Sequence, residues 1–60
     1  MPLTFINAAN KEIIAGVLTS EAPPACGEIV EINQKVWKVI HRDYAVQSGH
    51  LHCYLYMSDI

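Results

Sequence analysis

All three histidines, all three tyrosines and one of the two cysteines of this chain fall in one segment, HRDYAVQSGHLHCYLY, residues 41–56. Side chains of these types can hold a metal ion, activate a nucleophile, or offer a contact surface. Zinc takes histidines and a carboxylate, with water at an open position in catalytic sites. A thiol next to an imidazole becomes a nucleophile when the base can reach it. Tyrosine and tryptophan dominate protein-binding surfaces because each offers a large rigid area with a polar tip.

Spacing narrows these options. His41-Arg42-Asp43 matches the tripeptide that opens a protein-kinase catalytic loop. That loop needs an Asn a few residues on, inside a domain several times larger. Here the following residues are Ala45, Val46, Gln47 and Ser48, so the match is read as the outward residues of a strand. His50 and His52 share one strand face, and His41 and Asp43 share that of the neighbouring strand. A His/His/Asp metal site is the alternative this permits, although His50 sits at the turn and His41 at the far end of the ladder. Cys53 follows His52, but adjacent strand residues point to opposite faces, so that imidazole cannot activate it. Cys26 lies in a loop with no partner in sequence. Glu28 and Glu31 fall on opposite faces, and Gly16, Gly27 and Gly49 stand alone, so neither a paired-carboxylate site nor a phosphate cradle is expected. The expectation is a non-enzymatic chain with no cofactor and no evident small-molecule substrate. The surface left is an aromatic and polar face of His41, Asp43, His52, Tyr54 and Tyr56, bordered at the bend by Trp37.

The elements that must position this face can be read from turn residues. GEIVEI is a β-branched run with Glu28 and Glu31 interrupting it, as in a strand with one wet face. Asn33-Gln34 can form a tight hairpin turn, since Asn tolerates positive φ. Val30 then faces Trp37, Ile32 faces Lys35, and Glu28 faces Val39. The next turn is Ser48-Gly49, which sets Val46 against Leu51, Tyr44 against Cys53, Arg42 against Leu55 and Ile40 against Met57. These form an apolar face. Trp37 and Val39 have the opposite parity, so the long strand must change its buried face midway, which predicts a bulge or sharp bend.

SEAPPACG, residues 20–27, breaks the chain, because neither proline can donate to a ladder. Ahead of it, TFIN and KEIIAGVLTS predict a hairpin turning through residues 7–10. A helix over about residues 8–18 is the alternative, weakened by Gly16 and the β-branched residues around it. The fold class is therefore all-β: a single domain over residues 1–60, forming a five-stranded antiparallel barrel or roll of the SH3-like kind. It comprises a front unit (1–19), a loop (20–27) and hairpins (28–60). With the helix it becomes α+β on a three- to four-stranded sheet.

Sixty residues bury a core that supplies ~3–5 kcal/mol at most without a staple or a partner. A protein partner or self-association is the matching expectation. The net charge is −2, and Lys11, Lys35, Lys38 and Arg42 are scattered among acids. That counts against phosphate-driven nucleic-acid binding, which needs clustered bases. Single-stranded nucleic acid on the tyrosines is kept as the second reading. No stretch reaches the ~18 apolar residues of a membrane span, and nothing resembles a leader. A cytoplasmic location with reduced thiols is expected. Small size suggests an adaptor, accessory subunit or inhibitor of bacterial or phage origin, binding through the aromatic face or a free strand edge.

Overall fold

Two turns set the register of the back of the chain in the computed structural model, which describes residues 1–60. Asn33 and Gln34 have φ of 52° and 68°, and Ser48 and Gly49 have φ of 53° and 77°. Paired left-handed residues are the mark of the type I′ turn, whose twist suits a two-residue hairpin loop. The first turn joins β3 (Ile29–Ile32) to β4 (Lys35–Gln47), and the second joins β4 to β5 (His50–Asp59). Val30 faces Trp37 and Ile32 faces Lys35. Val46 faces Leu51, Tyr44 faces Cys53, and Arg42 faces Leu55. These are the pairs the turn residues predict. Glu28 lies just before β3, yet its carbonyl still accepts from Val39 N at 3.0 Å.

The expected change of face is a bulge at Ile40. Val39 faces Met57 and His41 faces Tyr56, leaving Ile40 as the extra residue. This corrects the expected pairing of Ile40 with Met57. Packing decides the difference: with the bulge there, Val39 is fully buried beside Met57 while Ile40 is 49% exposed. A bulge resets side-chain parity. Before it Trp37 and Val39 point inward; after it Arg42 and Tyr44 take the inner side, and His41 and Asp43 the outer.

β1 (Pro2–Asn7) and β2 (Ile13–Leu18) form the predicted front hairpin. The chain has no helix, so the helical alternative at residues 8–18 is excluded. Two asparagines shape the turn: Asn7 Oδ1 accepts from Ala9 N at 3.0 Å, and Asn10 Oδ1 accepts from Glu12 N at 2.9 Å. Such side-chain acceptors stand in for backbone partners at a turn.

The strand order is β2-β1-β5-β4-β3, one five-stranded sheet nearly closed into a barrel. Three of its pairings are antiparallel, but β1 and β5 run parallel, with Leu3 facing Cys53 and Phe5 facing Leu55. Strand count explains this departure from an all-antiparallel roll. Five strands alternating in direction end as they began, so pairing the last with the first puts two like-directed strands together.

The core is Leu3 and Phe5 from β1, Trp37 and Val39 from β4, and Cys53, Leu55 and Met57 from β5. The edge strands add only partly buried Ile14, Ala15, Val30 and Ile32. β4 and β5 outrun the other strands, so Tyr44, Val46 and Leu51 near their tip keep inner-face parity with little above them. They are 48%, 73% and 47% exposed. The expected apolar face is thus continuous in register but covered for only part of its length. No helix is long and apolar enough to cross a membrane.

Candidate functional site: the outer face of β4 and β5

The parity set by the Ile40 bulge brings five of the six expected contact residues onto one outer face. His41 faces Tyr56, Asp43 faces Tyr54, and Ala45 faces His52. The three β5 residues are half-buried, and His41 and Asp43 are exposed. Trp37 does not join them. It is 5% exposed and belongs to the core, because it precedes the bulge and points inward. Its indole Nε1 is buried with no hydrogen-bond partner. The ammonium of Lys35 lies 4.8 Å from its ring centroid and 3.1 Å from Asp59 Oδ2.

Several contacts order the face. His41 Nε2 donates to Asp43 Oδ1 at 2.7 Å, and its ring stands 5.6 Å from that of Tyr56. Both members of the pair are more than half exposed, so water screens it and it adds ~0–1 kcal/mol. Its value is orientation: it fixes the imidazole across the strand from Tyr56. Gln47 Nε2 donates to Tyr54 Oη at 3.0 Å, which fixes the other phenol. On the far side of β5, Thr4 faces Tyr54 and Ile6 faces Tyr56.

At one end the face opens into a shallow depression of about 300 Å³ lined by Ala8, Lys11, Ile40, His41 and Tyr56. Two backbone irregularities build it. The bulge turns Ile40 outward, and the β1–β2 turn holds Lys11 at φ 64°, a conformation a non-glycine residue seldom takes. Lys11 Nζ then lies 5.4 Å from the Tyr56 ring centroid. A backbone bond from Ala8 N to Met57 O, 2.9 Å, ties that turn to β5. The depression has an apolar floor with an ammonium and an imidazole at its rim.

Lys11, Gln47, Thr4 and Ile6 were not anticipated. Thr4 and Ile6 follow from the parallel β1–β5 pair, which strand-count parity could have revealed. Gln47 shares parity with Asp43 and could have been read from the ladder. Nothing local in the sequence points Lys11 toward Tyr56.

The one side-chain hydrogen bond of His41 goes to Asp43, so the pair is a base and its orienter without a hydroxyl or thiol to activate. Cys53 is buried and Cys26 exposed, both as free thiols. Burial pushes the Cys53 thiol up, and the nearby Arg42 charge opposes this while Asp43 adds to it. A raised thiol stays neutral and is a poor nucleophile. The residues of the metal alternative are spread along the ladder. His50 faces Gln47 and His41 faces Tyr56, six residues apart along β5, or roughly 20 Å at strand rise. No three His, Cys, Asp or Glu side chains converge to hold an ion. Compared with protein-family models, curated proteins and solved structures, the chain matches none of them, so its own residues carry the functional argument.

Proposed function

We propose that this chain is a non-enzymatic protein-interaction module, a small accessory, adaptor or inhibitor protein of bacterial or phage cytoplasm. The β4–β5 hairpin carries the contact surface. Tyr54, Tyr56, His41, Asp43 and His52 form its outer side, and the depression beside Lys11 receives an anchoring side chain. The observation that carries this reading is the balance of apolar residues: ten large ones are exposed against seven core residues that are buried. Scattered exposed apolar residues are ordinary. An excess over the core, concentrated on strand edges and one hairpin tip, is what a protein partner covers.

The test is capture of partners from the native host with wild-type protein and with Tyr54→Ala and Tyr56→Ala variants, whose fold is verified by circular dichroism. Wild type is expected to retain a specific protein that both variants lose. Retention of every partner by folded variants would contradict this choice of face. Capture of single-stranded nucleic acid, with affinity falling steeply as salt rises, would move the assignment to the second reading.

A further inference from the structure

The β1–β2 ladder determines which backbone groups β2 leaves unpaired. Thr19 N donates to Met1 O at 3.1 Å, and the Met1 amine donates to Thr19 O at 2.6 Å. They form a hydrogen-bonded pair, and in an antiparallel ladder such pairs recur at every second position. Val17 opposite Leu3 and Ala15 opposite Phe5 therefore bond to β1. The N–H and C=O groups of Gly16 and Leu18 point away from the sheet. No strand lies beyond β2 in the sheet order.

Of the features that keep strand edges apart, this edge has neither charge nor proline; it carries one, a bulge at Ile14 where the ladder with β1 shifts register. β2 reads IIAGVL, six residues without a charge, and Ile13, Val17 and Leu18 are 71%, 47% and 81% exposed. Its central glycine is required neither by backbone conformation nor by space. Gly16 is not at a positive φ, and a Cβ there would meet only the Leu3 carbonyl, at an ordinary 3.9 Å. Glycine inside a strand weakens it, and it marks either a bulge, here two residues away at Ile14, or the close approach of another backbone.

We infer that β2 is a self-association edge, and that two copies of this chain pair their β2 strands antiparallel about a two-fold axis at Gly16. The inference rests on the reading of the chain as an interaction module and names a second copy as one of its partners. In this register Gly16 meets Gly16 of the second copy, Leu18 meets Ile14, and Val17 meets Ala15. The pairs within residues 14–18 are apolar, Ile13 meets Thr19, and no like charges oppose, so the strand is complementary to itself. A standard interface removes about 800 Å² from each partner, a fifth of the 4000 Å² this chain exposes. Five residues of strand pairing, 14–18, fall short of that area. The dimer is accordingly weak, with a Kd on the order of tens of micromolar.

Sedimentation velocity across about 10 µM to 1 mM, a range that brackets such a Kd, tests this with three variants. Wild type is expected to pass from one chain to two, and no further. Leu18→Lys and Gly16→Pro alter groups that point away from β1, so both are expected to stay monomeric at the highest concentration with an unchanged circular dichroism spectrum. Ile29→Lys, on the opposite edge, is expected to dimerise like wild type. Should Gly16→Pro fail to fold, Leu18→Lys carries the test. A wild-type monomer throughout, a Leu18→Lys dimer, loss of the dimer in Ile29→Lys, or growth beyond two chains would each overturn the inference. None of these results bears on partner capture by Tyr54 and Tyr56, so the two readings fail separately.

Discussion

The two free edges of this sheet are built differently. β3 has four residues with Glu31 among them, and Glu28 lies just before it. The chain ahead of it continues along β4: Gly27 N donates to Val39 O at 2.7 Å, and Arg42 Nη1 donates to the carbonyl of Pro24 at 3.2 Å. The β3 edge thus runs out into two prolines, which cannot donate to an incoming strand. β2 has six residues with neither charge nor proline, and its one interruption is the bulge at Ile14. The contrast teaches that edge protection in this fold is heavier on the β3 side, which leaves the β2 side the more open of the two.

Variants that remove the supports of β3 break the contrast, the largest effect first. Trp37 faces Val30 and is the one buried side chain directly paired to β3. Trp37→Ala is expected to cost about 3–5 kcal/mol, comparable to the ~3–5 kcal/mol that a core of this size supplies. Urea titration followed by circular dichroism should find it largely unfolded in buffer. Arg42→Ala detaches the proline loop from β4 at an expected cost of about 1.5–3 kcal/mol, the range for a hydrogen bond from a charged donor. Limited proteolysis should then cut within residues 20–28 several-fold faster, whereas cleavage at wild-type rate would mean that the loop holds itself. Gln34→Gly sharpens the contrast. Gln34 sits at φ 68°, where a side chain is strained, so an Asn-Gly turn should raise stability by about 0.5–1 kcal/mol. The urea midpoint would rise with an unchanged slope. Trp37→Phe is the smallest. It removes an indole N–H that is buried without a partner, a group whose desolvation costs about 1–3 kcal/mol. That gain offsets most of the lost contact, and the midpoint should stay close to wild type.

Much of this architecture is legible in the sequence because two-residue turns fix register outright. Asn33-Gln34 and Ser48-Gly49 alone place His41 across from Tyr56 and Asp43 across from Tyr54. The need for a bulge is legible too, from the parity clash between Trp37 and Tyr44. Its position is not, because choosing Ile40 depends on how Val39 fits beside Met57 in a core closed by β1. The parallel β1–β5 pair is a tertiary fact, and with it come Thr4 and Ile6 on the outer face. Lys11 reaches Tyr56 only because the asparagine-capped turn folds back onto β5. The exposed tip of β4–β5 was hidden for a related reason: periodicity tells which face a residue takes, not whether anything covers that face.

Amide hydrogen exchange, measured residue by residue at low and high protein concentration, tests the unlike edges most directly. The outward amides of Gly16 and Leu18 should gain protection as concentration rises, while Ile29 and Glu31 exchange at the same rate throughout. Gly16 and Leu18 exchanging independently of concentration, or protection arising along β3 instead, would contradict the account.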